Sequence, residues 1–136
     1  MSIAYAEEPD LSVEDYVAVL GETTMRGKRP LANAARIGEM LRGAGLIVTA
    51  REDGRILGVA RCLSDGAWVA YCAELAVKES AQGLGVGAGL IAATKAILGP
   101  RMSLILISEE EAIGFYTRIG MQRLDRAFYL DRTDRS

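Results

Sequence analysis

A chain of 136 residues, half of them hydrophobic and a quarter charged, has enough apolar surface for one packed core and too little length for two ordinary domains. Its 16 lysines and arginines against 18 acids leave a formal charge of −2, which points away from nucleic acid as a partner. The sequence contains no histidine, so proton transfer falls to carboxylate, tyrosine, lysine, cysteine or water, and no metal centre is expected.

No apolar run approaches membrane-span length, because arginine, glutamate or glycine interrupts each one. The start carries no basic and then apolar leader, so a cytoplasmic protein is expected. Cys62 and Cys72 lie within apolar, strand-like runs and read as buried thiols rather than a bridge.

Taken in order, residues 3–6 form a short strand candidate. A helix over 13–20 is marked by Ser12 as N-cap with Asp15 three residues on, by Leu11 and Tyr16 at the staple positions, and by Gly21 as its stop. Residues 22–30 are polar and loop-like. A second helix over 34–42 places Ile37, Met40 and Leu41 on one face and ends at Gly43. Strands over 46–51 and 55–63 flank Asp53-Gly54, a strong hairpin signal. A turn at Ser64-Asp65-Gly66 leads to a third strand over 67–77, completing an antiparallel meander.

That strand runs into a glycine-rich loop and a helix over 85–98, with Val86, Leu90, Ile91, Ile97 and Leu98 as its apolar stripe and Gly99-Pro100 as its stop. Residues 102–108 read as a fully buried strand, parallel to its neighbour and reached by a right-handed crossover. A helix over 109–119 presents Ala112, Phe115, Tyr116 and Ile119 on one face. Residues 121–124 and 127–130 are expected to close the chain as a hairpin around Asp125-Arg126. The whole reads as one α/β domain over 1–136. Its mixed sheet is mostly antiparallel, with helices on both faces and one central parallel βαβ unit.

The informative stretch is the loop, where Gly83, Gly85, Gly87 and Gly89 stand at every second position beside Gln82 and Ala88. Glycine disfavours a helix interior by about 1 kcal/mol relative to alanine, so its repetition at a helix start suggests that backbone must approach something closely. The first turn of a helix offers unpaired N–H groups and partial positive charge, a combination that binds phosphate without a basic side chain. The plain alternative is a tight strand-to-helix turn in which glycines only let helix and sheet pack closely.

Two motifs in order, Gln82-Gly83-Leu84-Gly85-Val86-Gly87 after Leu75-Ala76-Val77, and Ala112-Ile-Gly-Phe-Tyr-Thr-Arg-Ile-Gly-Met121, resemble the GNAT superfamily of acetyl-coenzyme A-dependent N-acetyltransferases. The resemblance is strongest from Leu46 to Met121 and weakest over the first two helices, where such enzymes shape their acceptor pocket. It implies a GNAT-like fold and acetyl-CoA as co-substrate. The acetyl group would pass to a primary amine of a small molecule or peptide by direct attack in a ternary complex. It also implies that the amides of Gln82, Gly83, Leu84, Gly85, Val86, Gly87 and Ala88 hold the pyrophosphate. The backbone of Leu75, Ala76 and Val77 would bind the pantetheine arm, with an N–H there facing the thioester oxygen. Ser108, Ala112 and Phe115 fall at further cofactor-side positions. Tyr116 matches the donor that protonates the departing thiolate.

The sequence departs from the family in two places. Ser108 and Glu109 stand where many members carry asparagine, and Gly83 and Leu84 replace the usual basic residues of the loop. Homodimerisation is common among look-alikes and is carried as an expectation from them.

For the base, Glu74 is the best-placed carboxylate, alternating with Cys72 on one face of the strand beside the cofactor. It can equally be a strand residue paired with an arginine, as Tyr116 can equally be core. Glu22 and Glu109 are weaker base candidates, Glu109 belonging more simply to a helix start. Trp68 and Tyr71 are candidates to reach the acceptor site, although strand aromatics are more often core. Two rival functions compete. One is a non-catalytic acyl-CoA-binding regulatory module of the same fold. The other is a dinucleotide-binding oxidoreductase, since Gly83-x-Gly85-x-x-Ala88 satisfies a loose nucleotide fingerprint.

Overall fold

The computed structural model describes residues 2–136. One five-stranded sheet runs β1 (Ala4–Glu7), β2 (Leu46–Glu52), β3 (Arg55–Ser64), β4 (Val69–Val77), β5 (Ser103–Leu106) in spatial order. The first four strands pair antiparallel, and β4 with β5 is the parallel pair. Helices α1 (Val13–Leu20) and α2 (Ala34–Arg42) cover one face, and α3 (Val86–Leu98) covers the other. A short α4 (Ile113–Arg118) ends the regular structure.

Local chemistry accounts for most element boundaries. The Ser12 side chain accepts from the Asp15 amide at 3.1 Å, and Leu11 and Tyr16 are buried in one cluster, so cap and staple both form. Asp53 and Gly54 take φ of +51° and +78°, the two positive values a type I′ hairpin needs. Tyr16, Val19, Leu20, Ile37 and Leu41 pack on Ile47, Ile56, Val59 and Ala76 of the sheet. On the opposite face Val86 and Leu90 of α3 meet Val48, Ala60, Cys62, Ala70 and Cys72.

Several expectations change. The stripe of α3 buries Val86, Leu90 and Thr94, spaced by four, whereas Ile97 is exposed. The expected helix over 109–119 splits into a 3-10 turn, Glu110–Ala112, and α4, with Ala112 at φ −99°, ψ −3° at the junction. The closing hairpin is absent, and residues 121–136 form no helix or strand. A two-residue link of Asp125-Arg126 has neither glycine nor asparagine for the positive φ such a turn requires. Without that hairpin the parallel pair is at the end of the sheet rather than at its centre, and β5 is an edge strand; Ile105 on it and Ile107 just beyond it are exposed instead of buried.

Candidate functional site

A cleft of about 640 Å³ opens where β4 and β5 part. Their ladder joins Val69 to Ser103 through Cys72 to Leu106 and stops there, while β4 continues alone to Val77. The cause is a bulge. Arg61 faces Glu74 and Cys62 faces Cys72, so Ala73 is the extra residue on β4. The Lys78 amide donates to the Leu57 carbonyl on β3 at 2.9 Å. By strand alternation the N–H and C=O groups of Leu75 and Val77 therefore turn away from β3, along the open side.

The glycine loop forms one end of this cleft. Gly83 and Gly85 adopt φ of +85° and +79°, where L side chains are strained, and an added Cβ at either would meet open space. Gly85 caps α3 without a side chain to offer, and the amides from Gly83 to Ala88 have no hydrogen-bond partner within the described residues. A row of unpaired donors on positive-φ turns at the start of a 13-residue helix suits an anion, so the residues present fit a diphosphate. Gln82 and Ala88 line the cleft with these glycines, whereas the Leu84 side chain points to solvent.

α4 forms the other wall, and Gly87 lets it approach. A Cβ there would come within 3.0 Å of Phe115 Cζ, so the ring of Phe115 sits directly on the first turn of α3. Phe115 meets Tyr116 edge-on, with ring centroids 5.0 Å apart. Tyr116 is half-buried in the cleft wall with Ala112, and its hydroxyl has no partner among the described residues. Burial, and secondarily the Cys72 sulfur, push its pKa up to about 12. Ser108 lies outside the lining, its hydroxyl donating to the Glu109 carbonyl at 2.6 Å.

Glu74 is part of a different arrangement. The bulge at Ala73 turns it to the α1 face while Cys72 stays on the α3 face, so the expected sharing of one face fails. Its side chain is fully buried and accepts from the Tyr16 hydroxyl, from Arg61 Nε and Nη2, and from Arg29 Nε at 3.1 Å. Burial alone would raise its pKa, but the Arg61 guanidinium, with Tyr16 and Arg29, holds it below the usual carboxylate value of 4.5. A carboxylate held by so many donors is a poor proton acceptor. Arg29 also donates to the Ala73 carbonyl at 2.9 Å, tying the cluster to the bulge itself. The Cys72 thiol, beside Cys62 and buried, has its pKa pushed far up and is no nucleophile at neutral pH.

Sequence reasoning did not identify the third wall. A 3-10 helix, Thr24–Lys28, brings Thr23, Thr24 and Met25 to the cleft and is held across to the α4 side by Lys28 Nζ to Glu109 Oε2 at 2.6 Å. Thr23 capping its own helix, with its hydroxyl accepting from the Met25 amide, was the one local signal. Trp68 and Tyr71 are outside the lining. Among the described residues no helix is long and apolar enough to cross a membrane, and no cluster of potential ligands could hold a metal.

The fold and cleft have many counterparts. A provisionally named acetyltransferase of Deinococcus radiodurans R1 superposes with a TM-score of 0.75 at 26% identity, covering 96% of this chain and 88% of that one. A GNAT-family acetyltransferase of Streptococcus pneumoniae TIGR4 gives 0.73 at 18% identity, over 99% and 100%. The structure of AAC(6')-Iy in complex with a bisubstrate analogue, CoA-S-monomethyl-acetylneamine, gives 0.71 at 18%, over 97% and 99% of the two chains. No curated protein sequence matches the chain. The family model described as acetyltransferase (GNAT) matches residues 13–121. This match covers most of the chain, and the single parallel pair at the end of the sheet does not build the repeated parallel units of a dinucleotide-binding oxidoreductase. The chain belongs to the GNAT family of acetyltransferases.

Proposed function

We propose that the protein is an N-acetyltransferase that moves an acetyl group from acetyl-CoA to a primary amine in a ternary complex. One observation carries the reading. A row of unpaired amides, from Gly83 to Ala88, and an unpartnered phenol, Tyr116, sit in the same cleft, with the open backbone edge of Leu75 and Val77 beside them. That AAC(6')-Iy, a protein of the same fold, binds a CoA-linked bisubstrate analogue supports the choice of acyl donor.

Acetyl-CoA supplies the acetyl group already activated as a thioester. The loop amides bind its diphosphate, and the α3 dipole adds to their pull. Main-chain groups of Leu75, Ala76 and Val77 orient the arm as an added strand would be oriented, and an N–H on this edge stabilises the oxyanion that forms on attack. Tyr116 donates its proton to the thiolate leaving group. A phenol with a pKa of about 12 stays protonated throughout the neutral range, so the donor form is always present.

Glu74 acts as a positioning residue: its ion cluster fixes the bulge that parts the two strands. The proton released by the amine goes to solvent in the open cleft. The acceptor enters between Thr23–Met25 and α4, where Glu111 and Arg118 line the wall with Glu109, whose charge is already paired to Lys28.

The test is release of free thiol from acetyl-CoA across a broad amine panel. Turnover with at least one amine, strongly reduced in Tyr116→Phe, is expected. Tight acetyl-CoA binding with no thiol released by any amine would instead assign a non-catalytic acyl-CoA-binding module.

A further inference from the structure

Two neighbouring side chains, Lys28 and Arg29, close the 3-10 helix of the acceptor wall and reach to opposite sides of the cleft. Lys28 Nζ meets Glu109 Oε2 on the α4 side at 2.6 Å, with 46% and 38% of the two side chains exposed. Arg29 reaches β4 instead. Its guanidinium donates from Nη1 to the Lys28 carbonyl at 2.9 Å, from Nη2 to the Ala73 carbonyl at 2.9 Å, and from Nε to Glu74 Oε2 at 3.1 Å. One planar group thus joins the last turn of the wall to the extra residue of the bulge and to the carboxylate behind it.

The other ties on this wall are looser. At its start Lys78 Nζ lies 3.8 Å from Glu22 Oε2. An exposed pair such as Lys28 with Glu109 contributes little and is screened by salt. Arg29, with only 21% of its side chain exposed, therefore sets where Thr23, Thr24 and Met25 stand relative to the open edge of Leu75 and Val77. A lysine offers one nitrogen where the fork offers three, so it cannot serve three acceptors spread around the guanidinium plane.

We propose that Arg29 is a positioning residue for acetyl transfer, registering the acceptor wall against the bulge so that amine and thioester meet in one frame. The inference rests on the proposed function and extends it to a side chain outside the cleft lining.

The test is Arg29→Lys. Glu74 keeps Arg61 and Tyr16 in this variant, so its charge stays paired and the core is retained. With a competent amine, kcat/KM for that amine is expected to fall by about 10²-fold, while acetyl-CoA affinity by calorimetry is unchanged. Lys28→Ala, which breaks only the exposed pair, should cost less than about fivefold. Amide hydrogen exchange needs no substrate: it should quicken across Thr24–Lys28 in Arg29→Lys and stay the same across α3. Full kcat/KM in Arg29→Lys overturns the proposal, as does a parallel loss of acetyl-CoA affinity. So does a Lys28→Ala loss as large as that of Arg29→Lys, or unaltered exchange in the wall. A wild-type chain that releases thiol with no amine refutes the proposed function instead, and the exchange result then decides by itself whether Arg29 holds the wall.

Discussion

Two polar regions along one cleft, Glu74 on β4 and the glycine loop that follows the strand, are built on opposite plans. Around Glu74 every charge is answered: Tyr16, Arg61 and Arg29 converge on one buried carboxylate. At the glycine loop, a short way along the chain, consecutive amides from Gly83 to Ala88 have no partner among the described residues. Saturated groups hold shape, because removing one partner leaves a buried charge unpaired, whereas bare donors await something from outside. Read this way, the carboxylate is framework and the loop is the binding surface, the reverse of what side-chain chemistry alone would suggest.

Substitutions sharpen the contrast, the largest effect first. Tyr116→Phe removes the proton donor and nothing that binds, so kcat should fall by about 10²–10⁴-fold with acetyl-CoA affinity little changed. An equal loss in affinity, measured by titration calorimetry, would move Tyr116 to the binding surface. Glu74→Ala should destabilise the fold by about 3–5 kcal/mol in urea denaturation, since it strands Arg61 in the core. A variant of unchanged stability but lost activity would return Glu74 to the role of base.

Smaller effects follow at the loop. Gly85→Ala places a side chain at φ +79°, at a cost of about 1–2 kcal/mol, and should weaken acetyl-CoA binding by disturbing the amide row. Gly87→Ala presses on Phe115 and should shift α4 by a few tenths of an ångström, lowering kcat more than affinity. The smallest effect is in acid. Because the fold holds Glu74 below 4.5, the unfolded chain binds the extra proton. Its stabilising contribution is full above about pH 4.5 and is lost as the pH falls through the folded value. Glu74→Gln should therefore flatten the acid limb of the stability curve, and an unaltered limb would mean that the cluster contributes no linkage.

The legibility of this molecule in its sequence follows the range of each signal. Ser12, Asp53-Gly54 and Gly99 act on their nearest neighbours, and the elements they bound are found where expected. The glycine alternation likewise announced its loop from within a few residues. By contrast, the partners of Glu74 come from 58, 45 and 13 positions away, and the bulge that turns it to the α1 face is one inserted residue with no composition of its own. The wall at Thr23–Met25 becomes part of the cleft only through the cross-cleft pair of Lys28 and Glu109, a contact of sequence separation 81. Residues 127–130 carry a strand's pattern, yet form no strand.

The central claim, that bare main-chain donors form the binding surface, is tested most directly by an amide NMR titration of the uniformly ¹⁵N-labelled protein with acetyl-CoA. Saturable shifts concentrated in the amides of Gly83 to Ala88, with the Arg61 Nε–H signal unmoved, are the predicted result. Binding that leaves those amides in place while other signals move would contradict it.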